Sequence, residues 1–541
     1  MSTSLQALAL ERRVDARFAR YTASGSPGAI VAVMRGDTIE VCKGYGLASV
    51  ELGVPISPKT RFRIASVSKQ FTVTVALMLA AEGKLDLAAP PHKYLPELKP
   101  LPVTLDQMMR NASGLPDFLE LLRLGGHGLD RPVRPEELFA ACRRNSHLNF
   151  APGSRFLYSN SNFLLLGLII ERLTGQKLGD AMAERIFTPL GMTSTMLAAE
   201  IDTVIPNLAT GYLGDDKTGF RRAAHAYPQG GEGGLTSSVE DLLIWSRHFD
   251  NPVLGETLPK QLIALAPLTG GHANHYRRGV GVGEMRGLET VGHGGLWPGF
   301  RTEFLRVPAT GLTVVVIANL ASIDPWRLAH AIAADALEGD KRMKPVPAAI
   351  TEAEIAPIAG TWFNSAEPSL FDLAWKNGEA TATQNGAPFA LARRADGWFG
   401  AERGSFEFKI KPGPEKDKGT GKGTLKVDLG AGRILAFTRL DKRAALPAAL
   451  AGRYVSADCG ARWDIRRSGE GWEAAVSGPL IASSAPWIVR GLDADTIETE
   501  MPMGWIAATQ HAQLVRDRAG KITAIDVSTG RIKKMRFERE G

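Results

Sequence analysis

A seven-residue segment occurs twice in the last third of this 541-residue chain. Ile358-Ala359-Gly360-Thr361-Trp362-Phe363-Asn364 is echoed 92 residues later by Leu450-Ala451-Gly452-Arg453-Tyr454-Val455-Ser456. Each copy precedes a strand with a tryptophan, Leu373-Ala374-Trp375 in the first and Arg462-Trp463-Asp464-Ile465 in the second. The unit is too long for a solenoid repeat. Short β-runs with frequent turns fill both copies, which predicts two similar antiparallel β-barrels whose closure removes exposed edges. The stretch 339–348, with Pro345 and Pro347 in it, reads as a linker. The expected units are therefore 1–338, then barrels at 349–440 and 441–541. The loop 412–423, rich in Gly, Lys and Pro, is expected to be mobile.

The first 338 residues have another character. A helix is predicted over 5–22. Two apolar, β-branched runs at 28–35 and 38–48, joined at Gly36-Asp37, predict an antiparallel hairpin. Helical patterns follow at 104–109, 135–142 and 163–173, the last stopped by Thr174-Gly175. Ser237-Ser238-Val239-Glu240-Asp241 opens another helix with an acidic first turn. Three strand candidates, 279–284, 300–307 and 312–319, precede a helix at 325–337. Strands at both ends with helices between predict one sheet assembled from the two ends of the segment, an α+β layer arrangement.

Charge and cysteine content narrow the function classes. The net charge of +7 is spread over 64 basic and 57 acidic residues, with no Lys/Arg run and no zinc spacing. Nucleic acid is not an expected partner. Cys42, Cys142 and Cys459 fit no disulfide or metal pattern and read as free thiols in a reducing compartment. The first residues lack a basic segment ahead of an apolar one, so a cytoplasmic protein is expected. No apolar run reaches about 18 residues, so no membrane span is expected.

The chemistry centres on Arg63-Ile64-Ala65-Ser66-Val67-Ser68-Lys69, followed by a largely apolar run to Ala80. If a helix begins near Ser66, Lys69 lies one turn on along the same face. A buried amine with a lowered pKa can take the proton that makes a serine nucleophilic. Alone, Ser-x-x-Lys arises about once by chance in a chain this long, and a capping serine with a surface lysine is the ordinary reading. Two further pieces change that balance. Tyr158-Ser159-Asn160 offers a phenol for proton relay and an amide donor. His293-Gly294-Gly295 offers an imidazole beside glycines that let a strand edge approach a substrate backbone.

These three pieces, in this order, resemble the penicillin-recognising serine hydrolases. Lys-Thr-Gly often fills the third place there; His-Gly-Gly fills it here, as in one branch of the class C-like group. Phe62-Arg63-Ile64-Ala65, Asn111-Ala112-Ser113-Gly114-Leu115-Pro116, Pro189-Leu190-Gly191-Met192 and Gly233-Gly234-Leu235-Thr236-Ser237-Ser238 extend the resemblance over residues 10–335. One departure is Asn111-Ala112 where His-Thr is usual. With two barrels behind, the chain is similar to the D-stereospecific aminopeptidases, which release small N-terminal D-residues from peptides, amides and esters.

The resemblance implies a class C β-lactamase-like α/β catalytic domain followed by two antiparallel, lipocalin-like β-barrels. It implies Ser66 as nucleophile, Lys69 as base with Tyr158 as the alternative, and Tyr158 and His293 as proton donors to the leaving amine. Asn160, Gly294 and Gly295 would hold substrate, and the Ser66 and Leu296 N–H groups would form the oxyanion hole. A loop of the last barrel enters the cleft in that family, which here points to 477–487, with Gly478 and Ser483 as contacts. That stretch has no acid for a substrate ammonium, leaving Glu232 and Glu303 as candidates. No cofactor or metal is implied; the expected partners are a small peptide or amino-acid amide and, from the resemblance alone, a second copy in a homodimer. The rivals are an esterase, an amino-acid amidase, a β-lactamase or DD-carboxypeptidase on the same scaffold, and a non-catalytic penicillin-binding module.

Overall fold

The computed structural model describes residues 2–541 except 23–24, 130, 199, 201, 225–226, 228–229, 395, 402–407, 414–422, 431, 484 and 502–508. Its first part is organised on a six-stranded antiparallel sheet. The strands are β1 (Ala29–Arg35), β2 (Thr38–Tyr45), β3 (Gly281–Met285), β4 (Leu288–Trp297), β5 (Phe300–Val307) and β6 (Leu312–Ala318), in the spatial order β3-β4-β5-β6-β1-β2. β1 and β6 pair along their whole length, Ala29 opposite Ala318 and Arg35 opposite Leu312. The two ends of the segment thus share a sheet, as the strand distribution suggested.

The central strands are apolar throughout because both faces are covered. Side chains alternate between faces along a strand. Ile30, Ala32 and Met34 join the core that contains the helix Lys69–Ala81. Ala29, Val31 and Val33 join a separate core with the first helix, Ser2–Phe18, and with the helix Pro325–Ala336. We call these helices α1 (Ser2–Phe18), α2 (Lys69–Ala81) and, in chain order, α3 (Phe118–Leu124), α4 (Asn160–Thr174), α5 (Val239–Asp250) and α6 (Pro325–Ala336). None of the described helices is long and apolar enough to cross a membrane.

One strand differs from expectation. The sequence suggested three strands near the end of this part, with His293-Gly294-Gly295 lying between two of them. The structure has four, and the motif lies inside β4. Glycine lowers strand propensity, and Gly292, Gly294 and Gly295 hide the alternation. The fold requires two of them: a Cβ on Gly292 would stand 2.0 Å from the Phe304 carbonyl oxygen, and one on Gly295 would stand 2.2 Å from that of Ile64.

Each echo segment opens a closed eight-stranded barrel. The first runs from Gly360–Asn364 to Ile434–Arg439 and closes with Trp362 opposite Arg439. The second runs from Gly452–Ser456 to Met535–Arg539 and closes with Tyr454 opposite Arg539. The echo builds the same lock twice. Trp362 Nε1 donates to the Ile358 carbonyl over 2.8 Å, and the Tyr454 hydroxyl donates to the Leu450 carbonyl over 2.9 Å. Arg439 lies over the Trp362 ring and Arg539 over the Tyr454 ring, 5.7 and 5.8 Å from the centroids. The arginines run close over the glycines: a Cβ would stand 3.0 Å from the Arg439 guanidinium at Gly360 and 2.9 Å from that of Arg539 at Gly452. The 412–423 loop lies largely outside the described residues.

Candidate active site

Ser66 lies in a 3-10 turn, Ala65–Ser68, that feeds α2. The α-helix proper begins at Lys69, three residues later than the sequence suggested. The turn is tight. Ala65 has φ 48°, a left-handed conformation rare for a residue with a side chain. Ile64 N–H donates to the Leu235 carbonyl and Leu235 N–H to the Ser68 hydroxyl, each over 3.1 Å. Ser66 therefore sits at the edge of a clamped turn, partly exposed, while its neighbours are buried.

Lys69 is fully buried and makes three hydrogen bonds. Nζ donates to Ser66 Oγ at 3.0 Å, to Asn160 Oδ1 at 2.9 Å and to the Glu232 carbonyl. Burial pushes its ammonium well below the ordinary lysine range, towards neutrality; Glu232 and Asp117 oppose that shift and Arg531 adds to it. The glycines of the 230s serve this contact: a Cβ on Gly231 would stand 2.7 Å from the Phe163 carbonyl, and Thr72 Oγ1 donates to the Gly231 carbonyl at 2.6 Å.

Tyr158 precedes α4, and its ring lies 4.9 Å from Lys69 Nζ. Burial raises its pKa well above the ordinary phenol value, and a side-chain hydrogen bond with Ser66 works against that rise. Asn160 is the first residue of α4. Its backbone N–H and its Nδ2 both donate to Asp117 Oδ2 at 2.9 Å, so the amide oxygen is turned towards Lys69.

His293 lies on β4 opposite Phe304 and is buried. Nδ1 is 2.6 Å from the Gly294 carbonyl, which can only accept, so Nδ1 carries the proton. Nε2 then accepts from the Tyr276 hydroxyl at 2.9 Å. Burial, followed by the nearby Lys69, pushes the imidazolium down to about 3, so the ring is neutral. Tyr276 packs edge-on against Tyr158 with centroids 5.8 Å apart. Gly294, Gly295 and Leu296 continue along β4 past the Ile64 carbonyl that precedes the nucleophile turn.

The other named residues have contacts of their own. Gly478 packs on Gly125, and the Ser483 N–H lies 3.0 Å from the Cβ position of Gly126, at the far end of α3 from Asp117. These contacts put the 477–483 loop on the C-terminal end of α3. The second barrel reaches Tyr158 through its last turn: Arg531 lies 4.9 Å above the ring on the centroid measure and donates to Asp117 Oδ2 at 3.1 Å. Glu303 shares a strand face with Leu305, away from Phe304 and His293, and burial pushes its carboxyl up to about 8. It stands behind the sheet. Glu232 is buried, and both its carboxylate oxygens accept from the Gly230 N–H, at 3.1 and 3.2 Å.

Asp117, Tyr276 and Arg531 were not singled out from the sequence. Asp117 had a legible role as the cap of a helix, and it accepts from Leu119 N–H at 2.9 Å. Nothing in its spacing pointed to Asn160. Among the described residues no group of three or more His, Cys, Asp or Glu side chains is arranged to hold a metal ion.

Comparison with known proteins gives the family. The chain is 32% identical over 336 residues to a D-aminopeptidase of Gluconobacter oxydans, an alignment spanning 62% of this chain and 63% of the relative. It is 27% identical over 525 residues to a D-aminopeptidase of Brucella melitensis, spanning 95% of this chain and 96% of the relative. Among solved structures, the octameric penicillin-binding protein homologue from Pyrococcus abyssi shares the fold, with a TM-score of 0.54, 19% identity and coverage of 98% and 99% of the two chains. The beta-lactamase family model matches residues 14–338, more than half of the chain. That segment holds Ser66, Lys69, Tyr158, Asn160 and His293, and the chain belongs to the beta-lactamase family.

Proposed function

We propose that this protein is a serine D-aminopeptidase that releases small N-terminal D-residues from peptides, amides or esters through an acyl-enzyme on Ser66. One observation carries the hydrolytic chemistry: a fully buried amine, Lys69, stands 3.0 Å from a partly exposed hydroxyl, Ser66. The D-residue substrate class rests on the two relatives named D-aminopeptidase.

Ser66 Oγ attacks the scissile carbonyl as neutral Lys69 takes its proton: the neutral amine keeps its two N–H groups on Asn160 Oδ1 and the Glu232 carbonyl and turns its lone pair to Ser66. The oxyanion is received by the Ser66 and Leu296 N–H groups, each worth about 3 kcal/mol. The proton reaches the leaving amine through Tyr158, whose ring lies 4.9 Å from the Lys69 Nζ that contacts Ser66. Water then attacks the acyl group by the same route in reverse. Asn160 holds the lysine, and Gly294 and Gly295 offer a strand edge to the substrate backbone. His293, neutral and bonded at both nitrogens, supports Tyr276 and through it the Tyr158 ring; it is better placed to position than to carry protons. Glu232 acts through its carbonyl on Lys69, since its carboxylate is turned onto Gly230.

Release of p-nitroaniline from D-Ala-, L-Ala- and N-acetyl-D-Ala-p-nitroanilide tests the reading. Strong preference for the free-amine D-compound is expected. Equal cleavage of the acetylated compound would contradict an aminopeptidase and point to a general amidase or esterase on the same serine. The homodimer is likewise a proposal, read directly by light scattering of the purified chain.

A further inference from the structure

The last turn of the second barrel, 529–534, is fixed on the catalytic region by three bonds. Asn149 Nδ2 donates to the Arg531 carbonyl at 3.1 Å, Lys533 N–H donates to Asn149 Oδ1 at 2.8 Å, and His147 Nε2 donates to the Lys533 carbonyl at 2.6 Å. This clamp delivers one side chain inward. Arg531 Nη1 donates to Asp117 Oδ2 at 3.1 Å, and its guanidinium lies on the Tyr158 ring 4.9 Å from the centroid. Lys69 Nζ lies 4.9 Å from the same centroid. Asp117 is completely buried, and the oxygen that receives Arg531 also receives the Asn160 backbone N–H and Nδ2.

We propose that Arg531 is a positioning residue for Lys69: it neutralises Asp117, which pins Asn160, which in turn receives the lysine amine. The inference rests on the reading of Lys69 as base. It assigns the second barrel a direct part in the chemistry, made by the 529–534 turn.

Lys69 is faced by Glu232 from the turn before the strand Leu235–Ser237, by Asp117 from the cap of α3, by Tyr158 from the loop before α4, by His293 from β4, and by Arg531 from the second barrel. Tyr158 and His293 are neutral at pH 7. Among the described residues, Glu232 and Asp117 favour an ammonium and Arg531 opposes it. Without Arg531, Asp117 becomes a buried carboxylate lacking its cation, which is costly in itself. Lys69, joined to Asp117 through Asn160, is a group whose ammonium that carboxylate favours. A protonated Lys69 cannot take the Ser66 proton. Arg531 is held in its charged form: burial opposes the charge, but Asp117, Tyr158 and Glu120 outweigh it.

The test is the pH dependence of Ser66 labelling by a fluorophosphonate, which does not depend on the substrate. Arg531→Gln should move the acidic limb of the labelling rate up by about one pH unit, or about tenfold in rate below the limb. Arg531→Lys, which keeps the charge, should leave the limb near its wild-type position. Arg531→Gln with Asp117→Asn removes both charges and should return it there. The double variant also serves if the single one does not fold, because it leaves no buried carboxylate without a cation. An unmoved limb in Arg531→Gln, a Lys variant displaced as far as the Gln variant, or a displaced limb in the double variant would each overturn the proposal. A chain that labels at Ser66 but releases no D-residue would sink the substrate assignment alone. Failure of the wild-type Ser66 to label would sink the base chemistry, and this inference with it.

Discussion

The first barrel meets the catalytic region through charge. Arg155, just before Tyr158, donates to Glu367 at 3.3 Å, Glu367 also pairs with Arg433, and Arg327 of α6 pairs with Glu379 at 3.1 Å. Its core is its own, built from residues between Ile350 and Phe437. The second barrel meets the catalytic region through apolar packing and buried polar bonds. Its core takes in Leu121 and Leu124 of α3, and Trp463 Nε1 donates to the Leu124 carbonyl at 2.8 Å. The same helix is capped by Asp117, which receives Arg531. Two barrels with one closing lock thus diverge in their attachment. A shared core resists salt, whereas exposed ion pairs are screened by it. The scaffold is duplicated; the coupling to the active site is not.

Six substitutions probe that contrast, the largest effect first. Trp463 and Phe371 occupy equivalent places, each opposite the echo aromatic of its barrel and fully buried. Replacing either by Ala should destabilise its barrel by about 3–5 kcal/mol. Calorimetry should find both losses, and assays below the transition should find activity reduced in Trp463→Ala and kept in Phe371→Ala. Equal loss of activity in the two would break the contrast.

Glu303 tests the pH sensitivity of the side that carries the charged contacts, because Asp324, the cap of α6, raises it further after burial. Its folded pKa of about 8 exceeds the unfolded value. The native state therefore holds the extra proton between the unfolded and folded pKa values. Stability is full below the unfolded pKa and falls as pH rises towards about 8, by up to about 1.4 kcal/mol per pH unit. Glu303→Gln should flatten that fall in urea titrations at pH 5, 6.5 and 8. An unchanged slope would refute the buried-acid reading.

The lock predicts a cost in both barrels. Trp362→Phe and Tyr454→Phe each delete one buried donor, about 1 kcal/mol apiece, and the smaller ring in Trp362→Phe adds a cavity cost, both measured by urea denaturation. A cost confined to one barrel would show that the echo is a sequence likeness without a shared energetic role. Glu367→Gln should have the smallest effect, below about 1 kcal/mol, and that effect should shrink further at high salt.

Much of this was legible in the sequence, and the rest was hidden for identifiable reasons. Ser66, Lys69, Tyr158, Asn160 and His293 lie in three motifs far apart in the chain, and the structure gathers them around one buried amine. The echo segments foretold the barrels because a glycine and an aromatic recur in the strand on which each barrel closes. β4 was obscured because Gly292, Gly294 and Gly295 remove the side chains by which a strand is recognised. The barrel contact was assigned to 477–487 by resemblance, yet Gly478 and Ser483 lie on Gly125 and Gly126. Arg531 carries no local pattern: a single arginine in a turn reads as surface, and only the closure of the second barrel brings it to Asp117. Asp117 carries no motif of its own, and its partner Asn160 is distant in sequence.

The central claim is that Ser66 carries the acyl group after Lys69 takes its proton. Rapid-quench mass spectrometry of the intact chain turning over D-Ala-p-nitroanilide, with peptide mapping, tests it most directly. The account predicts a transient D-alanyl adduct on the peptide containing Ser66, absent in Ser66→Ala together with turnover. Turnover that persists in Ser66→Ala, or an adduct mapped to another residue, would contradict it.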